Sequence, residues 1–274
     1  MARRRRRQTR SAENSQLILG AVLIGFVCLA LAYGFYFFVG ARKSYVELDP
    51  QTYCPKNGPA SVTALLIDTT DQLNLVQRTD LINEIEKLIQ NIPRYGALDI
   101  FAVRPTEKQP TEPVFQRCNP GHADEISGWT SNPTMVERDW REGFRKPLDQ
   151  LFEQMLAPGE ANQSPILESI QWLAVNTLGT PTASGLPRSL IVVSDLLQHT
   201  SGLSHYRGVA SFSAFKKTPY YKQIKAPLEG VTAHLLIVRR NTKKNVQGKA
   251  LIEFWTAYFD AQGVRKLRLV DLAG

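Results

Sequence analysis

Apolar and polar positions divide this chain into three regimes. Leu17 to Ala41 carries no charged side chain over 25 residues, more than the ~20 a helix needs to cross a bilayer core. Ser44 to Pro59 is polar and interrupted by Pro50, Pro55, Gly58 and Pro59, which reads as a linker. From Ser61 onward, short apolar runs alternate with stretches of helical periodicity. Val62 to Ile67 is a continuous apolar run ending in Asp68-Thr69-Thr70-Asp71, the pattern of a buried strand with a polar rim. Apolar residues at 81, 82, 85, 88, 89 and 92 then predict a helix over Leu75 to Ile92, stopped by Pro93.

The alternation continues to the end. Ala97 to Val103 predicts a second strand, although Asp99 inside it argues against full burial of both faces. Val114 to Cys118 predicts a short edge strand after a turn at Thr106 to Pro113. Loop material at 119–133 leads to a helix over Val136 to Leu156 that Pro147 should kink or divide. Ser164-Pro165 opens a helix through Ala174, and Ser189 to Ser194 is a buried strand delivering Asp195. Thr232 to Val238 predicts a strand, Val246 to Phe259 a helix, and Arg265 to Leu272 a last edge strand. The expected fold class is α/β: a doubly wound, mostly parallel sheet with helices on both faces, preceded by one transmembrane helix. The expected organisation is a basic cytoplasmic tail (1–16), a span (17–41), a linker (42–60) and an α/β domain (61–274).

Charge sharpens the membrane reading. The net charge is +8, but Arg3 to Arg7, Arg10, Arg42 and Lys43 against Glu13 place +7 of it in residues 1–44. The remainder is nearly neutral, so the basic balance is no argument for nucleic acid, and no nucleic-acid partner is expected. Positive residues stay cytoplasmic, so the expected localisation is a single-pass membrane protein with a cytoplasmic amino terminus. Its domain would be extracytoplasmic, or periplasmic in a bacterium. Ala30-Leu31-Ala32 resembles a signal-peptide cleavage site, but the apolar run continues past it, beyond the usual ~7–15 residues of a signal core. An uncleaved anchor is therefore expected. Cys54 and Cys118 would both lie in an oxidising compartment, which predicts one disulfide between them.

Polar residues at the ends of the first and fourth predicted strands suggest a shared rim, because parallel strands send their carboxyl ends to one edge. The pieces Asp68-Thr69-Thr70-Asp71-Gln72, Ser164 before a helix, and Val193-Ser194-Asp195 resemble von Willebrand factor A-like domains. Their metal-ion-dependent adhesion site uses Asp-x-Ser-x-Ser, a hydroxyl from a second loop and an Asp from a third. Gln72 stands where the second serine would be. The resemblance implies Mg²⁺ or Mn²⁺ held by Asp68, Thr70, Ser164 and Asp195, and binding of a protein partner rather than catalysis. Such an ion takes hard oxygen ligands and keeps several waters.

Simpler roles compete for the same residues. Thr70 or Asp71 could cap the first helix, Ser164 before Pro165 could cap another, and Asp195 could brace its loop. A metal-independent scaffold subunit of a membrane complex is the alternative function. Ser194, Asp195, His199, Ser201 and His205 lie close in sequence and invite a hydrolase. Yet no Gly-x-Ser-x-Gly elbow surrounds a serine, so no catalytic set and no enzyme are expected. The long 198–230 insertion, with Tyr206, Phe212, Phe215, Tyr220 and Tyr221, is the candidate partner surface. The competing outcome is a segment that folds back and buries those rings.

Overall fold

The computed structural model describes residues 2–43, 46–70, 73–103, 112–125, 132–155 and 162–272, with only the backbone for 2–18 and 40–43. The chain forms two compact units, Met1–Val46 and Glu47–Gly274. The first is one helix, α1 (Ala2–Lys43). Its stretch Leu19–Val39 is 21 residues long, apolar and exposed, long enough to cross a membrane as a helix.

The second unit is built on a six-stranded sheet. Its strands are β1 (Val62–Asp68), β2 (Ala97–Val103), β3 (Phe115–Cys118), β4 (Arg188–Ser194), β5 (Thr232–Val238) and β6 (Lys266–Leu272), in spatial order β3-β2-β1-β4-β5-β6. Every pairing is parallel except β2 with β3. The chain therefore runs outward from β1 through β2 to β3, then returns to β4 on the other side of β1. That reversal opens a crevice at the carboxyl ends of β1 and β4, where open α/β sheets bind ligands.

Both faces of the sheet are covered. Alternate residues Val62, Ala64, Leu66, Leu190, Val192, Leu235 and Ile237 pack under α5 (Ile166–Asn176) and α8 (Lys249–Ala261). Their neighbours Leu65, Ile67, Leu98, Ile100, Ile191 and Val193 pack under α2 (Leu75–Ile89) and the helix ending at Met155. Burial on two faces explains why the central strands read as unbroken apolar runs.

That last helix shows what Pro147 does. It runs as α3 (Pro133–Arg138), a π-helical stretch Asp139–Arg145, and α4 (Lys146–Met155). Proline has no N–H to return to the carbonyl four residues earlier. The Gly143 carbonyl is left over, and the Arg117 guanidinium donates to it instead. The expected break is thus absorbed by a wider turn just before the proline. Gly143 also admits Tyr53, whose ring carbon would lie 2.4 Å from a Cβ at that position.

The approach segment from Glu47 belongs to the second compact unit. Cys54 and Cys118 form the expected disulfide, with Cα atoms 4.8 Å apart, and the Cys118 amide donates to the Thr52 carbonyl at 2.8 Å. The 198–230 insertion folds back. Its short helices α6 (Phe212–Phe215) and α7 (Pro219–Gln223) bury Phe215 and Tyr221, and Phe212 and Tyr220 pack against the same core. Of the five rings only Tyr206 is exposed, at 40%. Most of its rings thus belong to the core, and of the aromatic surface expected there Tyr206 remains exposed. Residues 106–111 of the expected turn and 126–131 of the 119–133 loop lie outside the described residues.

Candidate functional site

The rim is assembled around Asp68, the last residue of β1. Its Oδ1 accepts hydrogen bonds from the Thr70 amide (3.1 Å) and the Thr70 hydroxyl (2.6 Å). Its Oδ2 accepts from the Ser164 and Ser194 hydroxyls, each at 2.9 Å. Four donors satisfy a carboxylate's two oxygens, and three of them are hydroxyls that keep lone pairs free for another partner.

Why these hydroxyls are available follows from what caps the helices. The α2 N-terminus is closed by Asn74: its side chain accepts from the Gln77 amide (2.9 Å), and its own amide donates to the Gln77 side chain (3.2 Å). This reciprocal arrangement leaves Thr70 with no capping duty. The α5 N-terminus is closed from a distance. Gln198 Oε1 accepts the Leu167 amide at 2.9 Å, and no side-chain cap comes from the preceding residue. Gln198 is itself anchored by donating to Glu168 at 2.9 Å and Thr200 at 3.2 Å. Ser164 is thereby released from capping and turns its hydroxyl to Asp68. A two-way backbone bridge to His199, 3.0 Å in each direction, fixes its position.

Asp195 behaves differently. Its Oδ1 accepts the Leu197 amide at 2.8 Å, the loop-bracing role that competed with ion binding. Its Oδ2 faces the Arg240 Nε at 3.7 Å, with the Asp195 side chain only 4% exposed. Gln247 holds both sides of that pair. Its amide group donates to the carbonyls of Asp195 (2.9 Å) and Val238 (2.8 Å) and its oxygen accepts the Arg240 amide (2.6 Å). Thr70, Ser164 and Asp195 nevertheless line one cleft of about 220 Å³, with Asn162, His199 and Tyr206. Asp68, Thr70 and Ser164 are thus brought into direct contact. Asp195 shares their cleft but is engaged by its own loop and by Arg240. Asp71 and Gln72 lie outside the described residues.

The donor set suits a hard divalent cation by type: a carboxylate and three hydroxyls at one point, and a second carboxylate on the same cleft. Among the described residues no cluster of three or more His, Cys, Asp or Glu side chains forms a metal site, so hydroxyls would have to supply much of the coordination. Ser194, Gln198, Arg240 and Gln247 were not legible as site residues. Ser194 had a signal in hindsight, a polar residue at the end of an otherwise apolar strand beside Asp195. Arg240 and Gln247 had none, because their roles depend on how β5 and α8 abut β4.

The two histidines near Asp195 pair with Ser204 and with the Leu196 carbonyl. His205 is fully buried, donates from Nδ1 to the Leu196 carbonyl at 3.1 Å, and packs edge-on against Phe254 with ring centroids 4.8 Å apart. His199 Nδ1 pairs with Ser204 at 2.8 Å.

No protein-family model matches the chain, and no curated protein does. Among solved structures it is similar to an aerotolerance-related membrane protein from Bacteroides fragilis, at 11% identity and a TM-score of 0.34, over 78% of this chain and 92% of that one. It is also similar to BatB, described as a conserved hypothetical protein, from Bacteroides thetaiotaomicron: 13% identity, a TM-score of 0.38, 78% of this chain and 91% of that one. At TM-scores this low neither likeness bears on the site, which rests on its own geometry.

Proposed function

We propose that the chain is a membrane-anchored module, of the kind that von Willebrand factor A-like domains represent, that binds a protein partner at the carboxyl rim of its sheet. The observation that carries this reading is the convergence of the Thr70, Ser164 and Ser194 hydroxyls on Asp68 at the crevice between β1 and β4. Asp68, Thr70 and Ser164 would hold Mg²⁺ or Mn²⁺, with Asp195 adding negative charge across the cleft. An ion there supplies a positive centre for a partner's carboxylate. The residues around it suit a protein surface. Leu75 and Val76, at the start of α2, are 78% and 58% exposed, and Tyr206 lines the cleft. Exposed apolar and aromatic side chains around a polar centre are common in binding surfaces. No step of bond making or breaking is assigned to the site. The Leu17–Ala41 segment serves as a single uncleaved span, with the arginine run on the cytoplasmic side and the domain outside.

Thermal unfolding of the full chain in detergent, with and without millimolar magnesium or manganese, tests the ion. The parent should be stabilised and Asp68→Ala should not respond. A parent indifferent to both metals would overturn the ion.

One observation favours a second reading, in which the rim binds its partner without metal. The Arg240 guanidinium already places a fixed cation beside Asp195, which offsets the carboxylate charge that a metal would otherwise neutralise. Under this reading Arg240→Met creates a metal response where the parent has none. Under the first, the parent responds and Arg240→Met strengthens it.

A further inference from the structure

Asp99 is a carboxylate for which the rim has no use. It sits in the middle of β2, opposite Gln116 of β3 in the sheet register, on the face that α5 covers. The side chain is only 8% exposed, and among the described residues its Oδ1 accepts no hydrogen bond. Burial pushes its pKa up to about 6, with a hydrogen bond from Gln116 working in the opposite direction and, among the described residues, no cationic side chain acting on it. A buried acid with one idle oxygen is costly to the fold, and such groups gather at binding sites.

Asp99 lines a cleft of about 430 Å³ between the outer strands, the end of α5 and the approach segment. One wall is aromatic: Phe101 and Trp172 meet edge to face with centroids 5.6 Å apart. Val62 and Pro59 continue the apolar lining, and Thr52 and Thr177 also line the cleft. The cleft therefore pairs a single negative charge with aromatic and aliphatic surface.

We propose that this cleft is a binding site for a primary ammonium group carried on a short apolar stem, with Asp99 as its counter-ion and Phe101 and Trp172 packing the stem. The chemistry excludes the obvious alternatives. An anion would be repelled by the carboxylate, and a neutral apolar ligand would bury that carboxylate deeper without pairing it. An ammonium supplies the opposite charge to the carboxylate, and aromatic walls add attraction to a cation. The ammonium has two sources, a free arylalkylamine or a lysine side chain of another protein.

Calorimetric titration of the full chain in zwitterionic detergent tests this with three probes: phenethylammonium, Nα-acetyl-lysine N-methylamide, and 2-phenylethanol as the neutral isostere. Saturable millimolar or tighter binding of at least one amine is expected, with the alcohol at least tenfold weaker. Asp99→Asn should weaken the amine at least tenfold and leave the alcohol unchanged. Binding of phenethylammonium alone identifies the free amine as the source, and binding of the lysine derivative alone identifies a protein side chain. Either supports the site. Neither amine binding, or equal affinity for amine and alcohol, overturns it. So does an Asp99→Asn protein that keeps the parent's circular dichroism and binds the amine as tightly.

Discussion

The Ser164 hydroxyl lies 2.9 Å from Asp68 Oδ2, although 96 residues separate the two in the chain. Ser164 stands before Pro165 and α5, a sequence in which the serine would ordinarily be assigned as the helix cap. It is instead half of a contact that closes the crevice between β1 and β4.

That contact predicts an interaction energy that a cap would lack. Ser164→Ala should cost about 1–2 kcal/mol in the parent, since one hydrogen bond to a carboxylate is lost. In an Asp68→Ala background the same substitution should cost close to nothing. A double-mutant cycle on urea midpoints reads the difference. Equal costs in both backgrounds would mean that Ser164 stabilises the helix end after all.

Gln198 is the residue on which the α5 start depends. Gln198→Leu removes the acceptor of the Leu167 amide and the donor to Glu168, and should cost about 2 kcal/mol. The readout that separates this from a generic core defect is amide hydrogen exchange. Protection should fall in the first turn of α5 more than in β4. Uniform loss across both elements would contradict the assigned role.

Two buried groups should bend stability in opposite directions between about pH 4 and 6. Asp99 has its pKa raised to about 6. It therefore contributes stability that is full below its unfolded value near 3.8 and lost as pH rises through about 6. His205 has its pKa lowered by burial to about 4, so its contribution is present above about 6.5 and lost as pH falls through about 4. Subtracting the stability of Asp99→Asn from that of the parent isolates the first. The variant should be more stable at pH 7 by on the order of 2–3 kcal/mol, an advantage that shrinks toward zero near pH 4. A pH-independent difference would show that Asp99 does not titrate as its burial requires.

The Cys54–Cys118 bridge should contribute on the order of 2–4 kcal/mol by restricting the unfolded chain. Urea unfolding of the parent against the Cys54→Ser, Cys118→Ser double variant measures it. Coincident midpoints would mean that the approach segment is held by its other contacts alone, such as Tyr53 against Gly143.

What could be read from sequence, and what could not, divides on a physical line. Strands buried on both faces announce themselves as apolar runs, so β1, β4 and β5 and their order with the helices were legible. So was the meeting of Asp68 with Ser164, because parallel strands and the helices that follow them share a rim. The identity of the caps was hidden. Asn74 lies past the residues that looked like caps, and Gln198 reaches α5 from beyond β4, a contact with no local spacing. The 198–230 rings were ambiguous because aromatic composition serves a core and an interface equally well. Asp99 was visible as an anomaly in its strand, but only the folded chain shows that it faces a cleft beside the end of α5 and the approach segment.

The disulfide also decides how this unit carries mechanical load. Its two cysteines are 64 positions apart in the chain, and β1, α2 and β2 lie wholly between them. A pull applied to the chain at Glu47 passes through the sulfur bridge from Cys54 straight to Cys118. The intervening loop, with Asp68 and Asp99 on it, is bypassed by the force. A tether under tension would therefore load the chain after β3 directly, and severing the bridge would move β1 into the line of pull.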